Sequence, residues 1–300
     1  MKKFLFMCIS LLSFLSFAAE EVEEIVVKGK VLYSDQVNAL KTPTAIVDVP
    51  QAVSIVTDED IRKQGIREIG DIVRYTPGVN TSQGEGHRDA VVFRGVRSTA
   101  DFFQDGARDD VQYYRSLYNV EQIEVLRGPN ALLFGRGGTG GIINRVTKKA
   151  TIGETFGSFD LGADDFGSTD LAIDYNTSAG ENSAFRLNAH VDALENHRDL
   201  YDGDRIGFNP TLRVEISENT TLDLSYEYAD HERFIDRGIP TANGKPVEAL
   251  KDVVFGTSDI NITTLEADIF RGSLTTDLSD TSKAVFSITS SEFEKMYQNL

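Results

Sequence analysis

The sequence predicts a transmembrane antiparallel β-barrel, of which about the first seven strands are present, preceded by a small α+β domain. Three observations predict it. From Thr151 onward apolar and polar residues alternate strictly along the chain. Each alternating segment holds for about ten residues, the length that crosses a bilayer when tilted, whereas soluble strands cluster near 5 to 6. The connections also switch between brief polar turns and longer loops rich in charge, Gly and Pro, an asymmetry typical of outer-membrane barrels.

The chain begins "MKKFLFMCISLLSFLSFAAEE", with Lys2 and Lys3 ahead of an uncharged apolar run that ends in Ser16-Phe17-Ala18. Small residues at these places suit signal peptidase, so residues 1–18 are expected to be a cleaved secretory signal. The only cysteine, Cys8, lies inside it, which leaves no thiol for a disulfide or a Zn site. Losing Lys2 and Lys3 takes the net charge from -17 to -19, and the sequence pI of 4.7 argues against nucleic acid as a partner. Residues 19–39 show little apolar periodicity and read as an arm, except for the patch "EEIVVKG".

Residues 40–150 read as the α+β domain. "QAVSIVT" predicts a strand, and Thr57 with Asp60 three residues on predicts a helix N-cap, with Gly65 as the stop. Ile66, Ile69, Ile72 and Val73 fall at helical spacing before Pro77-Gly78. "AVVFRGV", "VEQIEVLRGP" and "GGIINRVTKK" predict further strands. Residues 151–300 then carry the barrel pattern. In "AFRLNAHVDAL", Phe185, Leu187, Ala189, Val191 and Ala193 take one face against Arg186, Asn188, His190 and Asp192. Ile206, Phe208, Leu212 and Val214, then Leu222, Leu224, Tyr226 and Tyr228, repeat it. Bacterial single-chain barrels have at least eight strands, so about seven imply the front part of a longer protein or a truncated reading frame.

The motifs of catalysis are missing. The glycine-rich stretch "LRGPNALLFGRGGTGG" lacks the Lys-Ser/Thr of a phosphate loop and precedes a strand rather than opening a helix, so its glycines are expected to serve a tight turn pressed against another wall. His87, His190, His197 and His231 form no metal-ligand spacing, and no nucleophile or paired-carboxylate set stands out. The sequence predicts neither an enzyme nor a metal site.

"EEIVV", "YTPGVN", "VFRGV" and "IEVLRGPNALLFGRGGTGGIINRVTKK", in this order between a signal and barrel strands, resemble a TonB-dependent outer-membrane receptor of the ferric-siderophore branch. The resemblance covers nearly the whole chain after the signal. It implies that residues 40–150 are a plug domain filling a 22-stranded barrel. It also implies that Glu24, Ile25, Val26 and Val27 are the TonB box on a periplasmic arm, able to add a strand to the partner TonB, which ExbB and ExbD energise. Arg94 and Arg127 resemble the plug arginines that pair with barrel glutamates, here beyond Leu300. His87, Arg88, Arg108, Gln112, Tyr113, Tyr114 and Arg115 are the ligand-binding candidates, since Arg and Tyr offer charge and stacking to an anionic ferric chelate. "DGARDDVQYYR" looks most like receptors of catecholate type. The implied function is energy-dependent import of a ferric siderophore across a Gram-negative outer membrane, with outer-membrane lipid around the barrel and no permanently bound cofactor. Cobalamin, haem or an oligosaccharide as cargo, and an inactive truncated product, are the alternatives.

Overall fold

A computed structural model of the chain describes residues 36–40, 44–82, 84–129, 131–135, 138 and 140–299. The arm root enters as β1 (Gln36–Val37), paired antiparallel with β2 (Thr44–Ala45). Then follow β3 (Ala52–Thr57), helix α1 (Asp58–Lys63), helix α2 (Ile69–Arg74), β4 (Val79–Thr81), β5 (Val91–Phe93) and β6 (Val96–Ser98). β7 (Phe102–Gln104), β8 (Ala107–Arg108), β9 (Val120–Arg127), helix α3 (Ala131–Phe134) and β10 (Gly141–Thr147) complete the N-terminal domain.

Local chemistry explains α1. Thr57 caps it in a full capping box with Asp60, whose carboxyl is held below its usual range by the Thr57 hydroxyl and backbone bonds. Gly65 follows at φ 61, the left-handed stop that the sequence predicts. In the second helix Ile69, Ile72 and Val73 are buried as their spacing requires, while Ile66 is buried just before it begins.

A five-stranded sheet in the order β3-β9-β10-β7-β8 carries the domain, with β10 parallel to β7 and antiparallel to β9. Its two faces bury separate clusters. One packs Ile123, Val125, Ile143 and Phe102 against Ile61, Ile69 and Ile72 of the helices; the other packs Leu126, Ile142 and Phe103 under Val37 and Ala39. The predicted strands β3, β5, β9 and β10 are present. β7 and β8 were not expected, although Asp105-Gly106 between them, at φ 50 and 77, is a strong two-residue hairpin signal.

The glycine-rich stretch differs in one respect from its expectation: the four-residue helix α3 stands inside it. The tight approach expected of its glycines is there. A Cβ on Gly140 would lie 2.7 Å from the Phe93 Cβ, and one on Gly141 would lie 2.6 Å from the Leu126 carbonyl oxygen.

The second half forms one seven-stranded antiparallel sheet in sequence order. It comprises β11 (Phe156–Ala163), β12 (Thr169–Ser178), β13 (Ser183–Glu195), β14 (Asp202–Ser217), β15 (Thr220–Phe234), then β18 (Ile262–Ser279) and β19 (Ser282–Gln298). The small hairpin β16 (Thr241–Ala242) and β17 (Lys245–Pro246) interrupts the last long loop. Connections 179–182, 218–219 and 280–281 make a short-turn end, and 164–168, 196–201 and 235–261 make a long-loop end.

Alternation decides the faces. On β13, Arg186, Asn188 and His190 are buried toward the N-terminal domain, while Phe185 and Val191 are exposed on the outside. The outer face is apolar and aromatic, with Phe208 paired to Tyr228 and Tyr226 to Phe270. Toward the long-loop end it turns acidic, with Asp230, Glu266 and Glu294 in register across three strands. A band bounded in this way is the pattern of a sheet with lipid on one side.

Candidate functional site

The N-terminal domain sits on the inner face of the sheet through polar pairs at every level. Near the short turns, Arg186 approaches Glu121 at 3.6 Å, and Lys148 approaches Asp174 at 3.1 Å. Midway, the Gln104 amide donates to Glu227 (2.9 Å), which Arg271 also reaches at 3.1 Å; Asn119 donates to Asn209 at 3.2 Å, and Tyr118 stacks on His190. Near the long loops, Arg67 bonds Ser168 and Asp170 at 2.7 and 2.5 Å, and Glu68 meets Arg233 at 3.1 Å. Burial alone would push Glu68 up, but Arg233 and Arg205 outweigh it and hold its carboxyl below the usual range.

The apex of the domain faces the long-loop end. Glu85 and Gly86, at φ 61 and 76, turn the chain so that a Cβ on Gly86 would lie 2.8 Å from the Asp236 carbonyl oxygen of loop 235–261. That loop is clamped by Arg198, whose Nε reaches the Asp236 carboxylate at 2.5 Å and whose other donors hold the Lys251 and Val253 carbonyls. Next to Gly86, the His87 ring accepts on Nδ1 from Lys295 at 2.8 Å and lies 4.1 Å from the Tyr297 ring. Burial first, then the Lys295 and Arg88 charges, push the imidazole down to about 4, so it is neutral at pH 7. Arg88 donates to Gln112 at 2.5 Å and lies 3.4 Å from Glu85. The apex thus offers two cations, one carboxylate, one neutral imidazole and an aromatic ring.

Of the seven ligand-binding candidates, the structure brings His87, Arg88 and Gln112 together here. Tyr114 lies to one side, its ring 4.1 Å beneath the Arg233 guanidinium. Tyr113 and Arg115 are buried in the core below. Arg115 bonds Asp109 at 2.9 Å and Asp89 at 3.3 Å and lies 4.1 Å over the Phe102 ring, and Arg145 joins Asp109 at 2.7 Å. Burial raises Asp109, yet Arg115 and Arg145 overcome it and hold it down; Asp89, with Arg115 alone, stays raised at about 6. Arg108 stands elsewhere, donating to the Ala100 and Phe134 carbonyls. Lys295 and Tyr297 carry no sequence signal for this place, because only the fold brings Lys295 across 208 residues to His87, with Tyr297 beside it.

Arg94 and Arg127 lie close to one another. Arg94 occupies the β5–β6 turn at φ 46, and Arg127 bonds the Pro77 carbonyl at 2.7 Å and Ser54 at 2.9 Å. Burial, then the Arg94 charge, lower the Arg127 pKa. Among the described residues no carboxylate of the seven strands pairs with either. Glu24, Ile25, Val26 and Val27 lie outside the described residues.

The N-terminal domain thus meets the inner face of the sheet through polar contacts, and comparison with known proteins identifies it. The TonB-dependent receptor plug domain family matches residues 45–142. The chain belongs to the TonB-dependent receptors. "Probable TonB-dependent receptor BfrD" of Bordetella pertussis is 33% identical over 205 residues, which is 67% of this chain and 28% of that protein. "Probable TonB-dependent siderophore receptor PiuA" of Acinetobacter baumannii is 28% identical over 259 residues, covering 82% of this chain and 35% of its own. The PiuA crystal structure superposes with a TM-score of 0.79 at 25% identity, over 86% of this chain and 38% of PiuA. The open form of the ferric-catecholate import receptor Fiu from E. coli K12 gives 0.77 at 22%, over 85% of this chain and 40% of Fiu. The receptor chain described here therefore spans about a third of the length of these relatives. Its N-terminal domain is a plug, and its seven strands are part of a barrel wall.

Proposed function

We propose that this receptor imports a ferric siderophore across the outer membrane, with the plug apex toward the exterior and the arm in the periplasm, driven by TonB that ExbB and ExbD energise. The observation that carries it is the apex itself: Arg88, Gln112 and His87 of the plug meet Lys295 and Tyr297 of the wall beneath the clamped long loops. Cations beside an aromatic ring suit the oxygen-rich, anionic periphery of a ferric chelate, through charge-assisted bonds and stacking. Two relatives whose names specify siderophores or ferric catecholates support the same cargo class. Arg94 and Arg127 are proposed to bind carboxylates of further barrel strands, and Glu24 to Val27 to add a strand to TonB.

Growth of a receptor-deletion strain on single ferric siderophores, complemented with the full-length gene, tests this. We expect growth on at least one chelate, lost with Val26→Pro, because proline removes a strand donor from the box. Equal growth of the deletion strain on every chelate overturns the transport function. A fully active Val26→Pro overturns the box assignment.

A further inference from the structure

On the plug face opposite the helices, Glu124 of β9 is fully buried, and no cation stands within ion-pair distance of it among the described residues. A buried carboxylate of this kind persists only when hydrogen bonds replace its water. Five do so. The backbone N–H of Asn38 donates to Oε1 at 2.6 Å and that of Ala39 to Oε2 at 2.7 Å. The Asn38 side chain (3.1 Å) and Gln122 (2.7 Å) also donate to Oε1, and Asn144 of β10 donates to Oε2 at 2.9 Å. Both backbone donors belong to the arm root, the segment that joins the arm to the plug. Val37 and Ala39 on either side are buried against Phe103, Leu126 and Ile142.

From these contacts we infer that Glu124 is the positioning residue that seats the arm root on the plug and limits how much of the arm is free to engage its partner. The inference rests on the proposed TonB-driven function. Its bonds connect the root to the ligand-facing half of the plug. Asn144 Oδ1 accepts from the Gly106 N–H at 3.0 Å, in the β7–β8 turn, and the next residue, Arg145, crosses to the other face, where it bonds Asp109 and Gln104 at 2.7 and 2.8 Å. Asp109 in turn accepts from Tyr113, one residue from the apex contact Gln112. A shift of β10 driven from the apex therefore changes the seat that Glu124 offers to Asn38 and Ala39.

Glu124→Gln keeps the shape and replaces one acceptor oxygen by an NH2 that must face a backbone N–H. Hydrogen exchange on the full-length receptor is expected to show the Asn38 and Ala39 amides exchanging at least ten-fold faster, with β9 and β10 amides unchanged. In the ligand-free receptor, crosslinking of a Val26→Cys arm to a cysteine-bearing TonB periplasmic domain is expected to rise several-fold. Asn38→Pro, which removes both the backbone and the side-chain donor of residue 38 without touching the plug core, is expected to act in the same direction at Ala39. Unchanged exchange at these amides overturns the inference. So does equal acceleration along Val120–Arg127, which makes Glu124 a general core residue, or faster exchange with no gain in crosslinking. Failure of the transport function appears differently: the Val26→Cys receptor with Glu124 intact gives no TonB crosslink with any ferric chelate, whatever the exchange result.

Discussion

At the residue scale, the apex is set by desolvation as much as by contact. His87 is depressed to about 4, so between roughly 6.5 and 4 the unfolded chain binds a proton that the folded apex refuses. Its contribution is intact above about 6.5 and is lost as pH falls toward 4, as the ring charges against Lys295 and Arg88 with only Glu85 to offset it. Asp89, raised to about 6, has the opposite sign: the folded plug holds a proton longer than the unfolded chain, and stability falls as pH rises between about 4 and 6. We expect apex amides 84–89 of the wild type to lose exchange protection on acidification from 6.5, and His87→Gln to remove that loss. An unchanged pH profile in His87→Gln defeats this account. None of these shifts was readable from the sequence, because a lone His between Gly86 and Arg88 carries no sign of Lys295.

Periodicity governs at the element scale, and here the sequence was most legible. The strict alternation in β13 places Leu187 outward, beside Pro210 and Tyr175, and Asn188 inward at zero exposure. Leu187→Arg puts a charge on the lipid face of a central strand, at a cost of roughly 2–4 kcal/mol if it lies near the bilayer midplane. Urea-dependent folding of the full receptor into phospholipid vesicles reads this directly; a loss under ~0.5 kcal/mol means that this face does not meet lipid. The α1 cap was equally readable, since Thr57 and Asp60 are local partners. For the β7–β8 hairpin the one local signal is Asp105-Gly106. Its strands are only three and two residues long, too short for alternation to register.

At the scale of the whole molecule, plug and wall are joined by polar pairs rather than by an apolar core. Gln104 and Glu227 meet 123 residues apart, with Arg271 sharing the carboxylate. Because the pair is buried, a double-mutant cycle with Gln104→Ala and Glu227→Ala is expected to give a coupling of about 0.5–3 kcal/mol in plug release by urea. Additive losses, within ~0.3 kcal/mol, contradict a direct plug-to-wall bond. Contacts of this kind can open at modest cost, since water re-satisfies each group once they part.

What the sequence determined by itself was whatever depends on neighbours within a few residues: the strand period, the Thr57 cap, the Gly65 stop, and the family order of motifs from "YTPGVN" to "IINRVTKK". The glycines at 140 and 141 could be expected to allow close approach, but only the fold names Phe93 as the wall they meet. Tertiary structure alone decided that Tyr113 and Arg115 join a buried ion network, that Lys295 and Tyr297 complete the apex, and that Glu124 grips the arm root. The physical reason is separation along the chain. A buried charge is tolerated only where other groups replace its water, and no local pattern records which distant segments supply them.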